Sequence, residues 1–265
     1  MVELRALETA KDRPILSVVV PIYNDVENID PFFARVEAVM AQLAQPYEIV
    51  CVDDGSADGT LARLIDHRRR NPAIKVLSLS RNFGKDVALT AGLDHCRGQA
   101  ATALDVDLQD PPEVIPELFA KWREGFEVVY AKRASRDGDS VAKRITAHWF
   151  YRIHNAVADV AIPADTGDFR LMDRRVINAL RNLPERNRFM KVLFSWVGYR
   201  QTEVEYRRAP RAHGSSKWRY WRLWNFALDG ITSSSTLPLR VWSYLGAAIS
   251  LLAIGFAAWL VLRTL

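Results

Sequence analysis

From Val241 to Leu262 the chain reads VWSYLGAAISLLAIGFAAWLVL, 22 residues without one charge. A helix crosses the hydrocarbon core of a bilayer with about 20 apolar residues, so this segment is expected to be transmembrane. The other reading is a buried core helix, but few such helices run this long without a polar break. Trp242, Tyr244 and Trp259 near its ends also suit the aromatic belts of a membrane interface. Only three residues follow, up to Leu265, which leaves open a short tail or further spans beyond it. Just upstream, Arg207 to Arg222 carries Arg207, Arg208, Arg211, Lys217, Arg219 and Arg222 and no acid. Positive charge flanking a span marks the cytoplasmic side, so everything N-terminal to it is expected in the cytoplasm, at the inner membrane. In KWRYWRLWNFAL, Lys217 to Leu228, the residues Trp221, Trp224 and Leu228 form an i, i+3, i+7 stripe with basic residues interleaved. That is the pattern of an amphipathic helix lying among lipid headgroups. Basic and aromatic residues together can also bind single-stranded nucleic acid, but contiguity with a span favours the lipid surface.

The 240 residues before it are those of a folding chain: 49% of the whole is apolar and 25% charged, which excludes disorder and collagen-like structure. The net charge of +5 is mild and leaves nucleic acid, an anionic membrane or an anionic substrate open until its location is known. Cys51 and Cys96, the only cysteines, lie in apolar stretches that read as core. Neither a disulfide framework nor a cysteine metal site is therefore expected, and a reducing compartment fits. The N-terminal MVELRALETAKDR lacks the apolar run of a secretory signal.

The first 130 residues alternate regularly. Short β-branched runs occur at Ile15 to Pro21, Tyr47 to Val52, Ile74 to Leu79, Ala100 to Leu104 and Phe126 to Tyr130. Helical segments lie between them, at about Asp25 to Leu43, Asp58 to Arg70, Lys85 to Cys96 and Pro112 to Glu124. Such alternation predicts βαβ units and a mostly parallel α/β sheet that binds its ligand beyond the C-terminal strand ends. Neither G-x-G-x-x-G after the first strand nor G-x-x-x-x-G-K-[ST] is present, which weakens dinucleotide oxidoreductase and P-loop readings.

Carboxylates stand at those strand ends instead. The first strand runs into Pro21-Ile22-Tyr23-Asn24-Asp25, the second into Asp53-Asp54-Gly55-Ser56, and the fourth into Asp105-Val106-Asp107-Leu108-Gln109-Asp110. Asp105 and Asp107, two apart, face one side of an extended strand, and Gln109 continues the period if the backbone stays extended. Two carboxylates and an amide make a hard oxygen site for Mg²⁺ or Mn²⁺ bridged to a diphosphate. A turn with helix-capping acids is the competing reading, with Asp110 before Pro111-Pro112 a natural cap. Asp53 and Asp54 could bond a base or ribose, or belong to a turn in which Ser56 or Asp58 caps the next helix. Tyr23 could lie under a base or simply pack.

Taken together, these residues resemble the inverting family 2 glycosyltransferases of the GT-A fold, and more narrowly the polyprenyl-phosphate glycosyltransferases of the dolichyl-phosphate mannose synthase and bactoprenol glucosyltransferase type. The resemblance rests on Arg81-Asn82-Phe83-Gly84-Lys85-Asp86, Asp105 to Pro112, Thr166-Gly167-Asp168-Phe169-Arg170-Leu171-Met172-Asp173, Pro184 to Met190, and Gly214-Ser215-Ser216-Lys217-Trp218. It covers about Ile15 to Leu265. Asp25 and Asp86 depart from it, standing where the family commonly has Glu.

The resemblance implies a Rossmann-like nucleotide-sugar domain over residues 1–210, an amphipathic juxtamembrane segment over 211–240 and the span over 241–262. It implies transfer of one sugar, with inversion, from a nucleotide diphosphate to the phosphate of a membrane polyisoprenol. Glucose from UDP-glucose and undecaprenyl phosphate are the chosen pair; mannose, galactose, a uronic acid or an amino sugar are the alternatives. Pro21, Tyr23, Asn24, Asp25, Asp53, Asp54, Lys85 and Asp105 are expected around the nucleotide, and Asp105, Asp107 and Gln109 around Mg²⁺ or Mn²⁺. Lys132 to Arg144 contains Lys132, Arg133, Arg136, Lys143 and Arg144, a solvated charge run by itself and an acceptor loop by the resemblance. Arg133 and Arg136 then become phosphate clamps, because guanidinium pairs with phosphate bidentately. Arg211, Ser216 and Lys217 form a second set.

Asp168 takes the position proposed as catalytic base, with pairing to Arg170 or a basic loop as its structural alternative. A phosphate monoester with a second pKa near ~6 is mostly dianionic at neutral pH, so positioning is an equal role for Asp168. A homo-oligomer, a tetramer among the options, is implied as well. A processive polysaccharide synthase is disfavoured by the lack of Q-x-x-R-W and by the single span. A tethered binding protein without turnover remains the other class of function, and a nucleic-acid binder is the weakest. His67, His95, His148, His154 and His213 show no metal spacing and read as surface or packing residues.

Overall fold

The computed structural model describes residues 13–134, 152, 166–183, 190–207 and 237–264. Arg136, Arg211, Ser216, Lys217 and the amphipathic Lys217 to Leu228 stretch lie outside the described residues. The first half of the chain follows the expected alternation: β1 (Leu16–Ile22), α1 (Val26–Leu43), β2 (Tyr47–Asp53), α2 (Thr60–Arg70), β3 (Ile74–Ser78), α3 (Lys85–His95), β4 (Ala100–Ala103), α4 (Ile115–Arg123) and β5 (Val128–Arg133). Then come β6 (Thr166–Asp173), α5 (Arg174–Arg181), α6 (Met190–Trp196), β7 (Gln201–Tyr206) and α7 (Leu237–Thr264).

The strands form one sheet in the order β3-β2-β1-β4-β6-β5-β7. β1 to β4 are parallel, β6 is antiparallel to both its neighbours, and β7 is parallel to β5. β1 is an almost continuous apolar run because both faces of the sheet are covered. Val18, Val20 and Ile22 enter the core beneath α1, whose Ile29, Phe32, Phe33, Val36 and Met40 recur at helical spacing. Val19 enters the opposite core with Leu89 and Leu93 of α3 and Val176 and Ile177 of α5. α3 lies close on β1 there, since a Cβ on Gly92 would stand 2.3 Å from Val19 Cγ1. Cys51 and Cys96 are free and buried in these cores, as expected, and burial raises both thiols above their ordinary range.

The stretch Leu239–Thr264 is long and apolar enough to cross a membrane, with mean hydropathy 2.3, and none of that apolar window is buried. The helix is thus a candidate membrane span and does not pack among the described residues.

At the N-terminal edge of the sheet, the buried Glu48 carboxylate accepts from Ser17 Oγ at 2.6 Å, from the Arg97 backbone N–H and from Lys75 Nζ. It ties β1, β2, β3 and the approach to β4 together. Burial works against its charge, but the bonds from Lys75, Ser17 and Arg97 hold it below the ordinary carboxylate range. A lowered folded-state value means stability that is complete above the unfolded carboxylate's titration and lost as pH falls through the lower folded one. Glu48→Gln is expected to cost about 1–3 kcal/mol at neutral pH. The gap from wild type should narrow in acid, which thermal melts across pH will check.

Candidate active site

The strand order reverses between β1 and β4, with β2 on one side of β1 and β4 on the other. Such a switch point opens a crevice beyond the strand ends. The loops after β1 and β2 are stitched to each other there. Asn24, with φ 49°, donates its N–H to Ser56 Oγ at 2.9 Å, and its side-chain oxygen accepts from Ala57 N at 2.8 Å. Asp25 N donates to Thr60 Oγ1 at 3.1 Å, and Val26 N to Asp58 at 3.2 Å. Asp58 also accepts from the Thr60 N–H at 3.1 Å, but the cap position of α2 is held by Gly59, and Ser56 reaches across to β1's loop. Tyr23, at 38% exposure, presents an open aromatic surface at the end of β1 beside half-buried Pro21.

Asp53 and Asp54 are buried and hold loops. Asp53 accepts from Ser56 N at 3.2 Å and Ser78 Oγ at 3.3 Å. Asp54 accepts from the N–H groups of Phe83 and Gly84 at 2.8 and 2.9 Å, which latches the Arg81-Asn82-Phe83-Gly84 turn onto β2. The fit leaves no room at Gly55: its φ is +70° and a Cβ would come within 2.5 Å of the Arg81 carbonyl carbon. The glycine serves this close approach as well as the turn.

The latched turn delivers Lys85 at the first position of α3. A cation is unfavourable at a helix N-terminus, and here two carboxylates compensate it. Lys85 Nζ lies 2.8 and 2.9 Å from the two oxygens of Asp105 and 2.7 Å from Asp168 Oδ2. Burial works against the Lys85 charge, yet Asp105 and then Asp168 raise the ammonium above its ordinary range. The meeting follows from strand pairing. β6 runs antiparallel to β4 with Thr102 opposite Leu171, and carrying that register three residues on sets Asp168 opposite Asp105. Like charges facing across strands repel, and Lys85 lies between them.

Beyond Asp105 the backbone does not stay extended: residues 106 and 107 turn, and Leu108 has φ 57°. The condition placed on Gln109 therefore fails as backbone geometry. The alternation of exposure survives, with Val106, Leu108 and Asp110 buried and Asp105, Asp107 and Gln109 partly open. Asp107 Oδ1 accepts from Gln109 N at 3.1 Å. Among the described residues no three His, Cys, Asp or Glu side chains converge to cage an ion by themselves.

Arg133 ends β5 next to the start of β6, its Nη2 3.8 Å from where a Cβ on Gly167 would stand. Lys132 turns to the β7 acids instead, 2.9 Å from Glu203 and 3.9 Å from Glu205. Arg170 is buried, donates to Gly167 O at 2.7 Å and lies over the Phe194 ring. The structure thus brings Lys85, Asp105 and Asp168 into direct contact with Arg133 nearby, and keeps Tyr23, Asn24 and Asp25 on the same edge. It uses Asp53 and Asp54 to build that edge. Asp110 and Tyr206, which the sequence reading left outside the site, also meet here. Their signals were the buried phase of the Asp105–Asp110 alternation and the apolar-polar alternation of Gln201–Tyr206.

The model described as glycosyl transferase family 2 matches residues 17–181. The chain belongs to that family. This family 2 glycosyltransferase is 55% identical over 250 residues to an uncharacterized glycosyltransferase of Synechocystis, covering 94% of this chain and 79% of the relative. It is 47% identical to the bactoprenol glucosyl transferase of Shigella phage SfV, covering 94% and 81%, and 46% identical to a prophage homolog from Escherichia coli, covering 94% and 82%. Among solved structures, mannosyl-3-phosphoglycerate synthase from Rubrobacter xylanophilus superposes with TM-score 0.57 at 16% identity, covering 87% of this chain and 75% of that one. Glucosyl-3-phosphoglycerate synthase from Mycobacterium tuberculosis, in complex with Mn²⁺ and UDP-glucose, superposes with TM-score 0.54 at 20% identity, covering 81% and 76%. These likenesses show the expected GT-A fold.

Proposed function

We propose that this family 2 glycosyltransferase moves one sugar, with inversion, from a nucleotide diphosphate sugar to the phosphate of a polyprenol at a membrane surface. The observation that carries the reading is the Asp105–Lys85–Asp168 contact at the switch point of the sheet. Two carboxylates and an ammonium meet there, the charges that a leaving diphosphate and an attacking phosphate call for, which supports the reading. Bactoprenol is the lipid named for relatives at 46–47% identity, and α7 has the length to hold the chain beside such a lipid. UDP-glucose and undecaprenyl phosphate are the proposed substrates, at the cytoplasmic face of the inner membrane, with the protein a homo-oligomer.

The donor set suits Mg²⁺ or Mn²⁺. Asp105 already faces a cation, Asp107 lies in the same partly open phase, and two carboxylates with Gln109 leave places for water and phosphate oxygens. When bound, the ion would offset charge growing on the leaving diphosphate. Tyr23 stacks on the base, and Asn24 and Asp25 border the ribose. Lys85 is the mobile charge of the site, able to leave Asp105 for a phosphate. Arg133, with Arg136, clamps the acceptor phosphate, and Arg211, Ser216 and Lys217 hold it from the membrane side. Asp168 orients that phosphate: its carboxylate is engaged as an anion by Lys85, and a dianionic acceptor needs no proton removed.

The full chain in lipid nanodiscs, given undecaprenyl phosphate and UDP-glucose, GDP-mannose or UDP-galactose in turn, tests this reading. Lipid-linked glucose with release of UDP, abolished by EDTA and restored by Mn²⁺ or Mg²⁺, is expected. Absence of lipid-linked sugar with every donor would overturn it.

A further inference from the structure

We propose that Asp110 and Tyr206 are positioning residues that hold the Arg133 guanidinium in place for the acceptor phosphate. The inference rests on the acceptor reading above. Asp110 looks like a helix cap before Pro111-Pro112, but the turn Pro112–Val114 that follows has Pro111 at its cap and no side-chain capping bond. Asp110 accepts instead from Tyr206 Oη, and the two are only 4% and 5% exposed. Tyr206 is the last residue of β7 and pairs in register with Arg133, the last of β5. The Ala134 N–H donates to Tyr206 O at 2.9 Å, so the two strand ends are also joined through the backbone. The Tyr206 ring stands edge-on to Phe169, the neighbour of Asp168, at 5.9 Å.

The bonds have a direction. The phenol donates to Asp110, and Arg133, the in-register neighbour of Tyr206 on β5, brings its positive charge to the same hydroxyl. Burial and the Asp110 charge push the phenol above its ordinary range, so it stays protonated and able to donate. A buried carboxylate and phenol are costly unless fully bonded, and an apolar pair would join two strand ends as well. What the polar pair adds is a fixed carboxylate and hydroxyl at the strand end that carries Arg133, whose Nη2 lies near Gly167. An arginine ordered in advance loses less entropy when it binds phosphate. The six residues from Asp105 to Asp110 thereby carry the donor-side carboxylates at one end and the anchor of the acceptor-side arginine at the other.

Steady-state kinetics of the full chain in nanodiscs will test the chain of bonds. Tyr206→Phe keeps the ring against Phe169 and removes the hydroxyl that bonds Asp110 beside Arg133. It is expected to raise KM for undecaprenyl phosphate about tenfold while KM for the nucleotide sugar and kcat stay within about twofold. In an Arg133→Ala background the same substitution should add nothing, because coupled residues are non-additive. A folded Tyr206→Phe with unchanged acceptor KM, or an equal rise in both backgrounds, overturns the proposal. If Tyr206→Phe does not fold, Asp110→Asn and Asp110→Leu carry the test. The amide still accepts from the phenol and should keep the acceptor KM, whereas leucine should raise it, and equal values overturn the proposal. A wild-type protein that glucosylates no lipid defeats the acceptor reading itself, which is a different result.

Discussion

Asp105→Asn is expected to lower sugar transfer by about 10³-fold, the scale of losing a principal electrostatic group at a reacting centre. Asp105 lies two residues beyond the end of β4 at the switch point, and both its oxygens face the Lys85 ammonium. Its charge is what can hold a divalent ion against a diphosphate. The substitution keeps shape and removes that charge, leaving Lys85 to Asp168 alone. The side chain is 30% exposed and anchors no strand, so the melting temperature should shift little. Product assays together with Mn²⁺ affinity from electron paramagnetic resonance will check this, and both should fall. Activity within tenfold of wild type, with Mn²⁺ bound as before, would remove Asp105 from the donor site.

Asp168→Asn is expected to retain about 1% of the wild-type rate, toward the low end of the 10²–10⁴-fold range that a general base contributes. Asparagine preserves the geometry at the start of β6 but gives up the ion pair with Lys85. If orientation is the role of Asp168, the residual rate still rises with pH through the acceptor's own second ionisation near ~6. Wild type and variant should therefore share that limb of the pH profile. Complete inactivity, with the fold and donor binding intact, would restore Asp168 as the base.

The parts of this protein that are legible in the chain are those set by local periodicity. β1 to β5 and the helices between them announce themselves because a covered parallel sheet requires short apolar runs separated by amphipathic helices. Their ends shift by up to three residues, since hydrogen bonding rather than hydrophobicity sets where a strand stops. β6 was legible only as a motif. Thr166–Asp173 mixes Gly, Asp and Arg with Phe, Leu and Met, and its buried Arg170 breaks any hydrophobic pattern. β7 does alternate, but at six residues on the sheet edge it is a weak signal. Asp53 and Asp54 show the reverse difficulty. Acids after a strand suit either a nucleotide contact or a turn, and only the N–H groups of Ser56, Phe83 and Gly84 show that these two also build the crevice.

By itself the sequence determined a parallel α/β core with carboxylates at its C-terminal strand ends, and an uncharged stretch of membrane-spanning length, because both follow from the spacing of apolar residues along one segment. The tertiary structure decided which of those carboxylates meet. Asp105 and Asp168 are far apart in the chain, and the antiparallel entry of β6 between β4 and β5 sets them opposite each other. Strand register is a property of two paired backbones rather than of either alone, so no local pattern carries it. The same pairing makes Lys85 the shared counter-charge of the site.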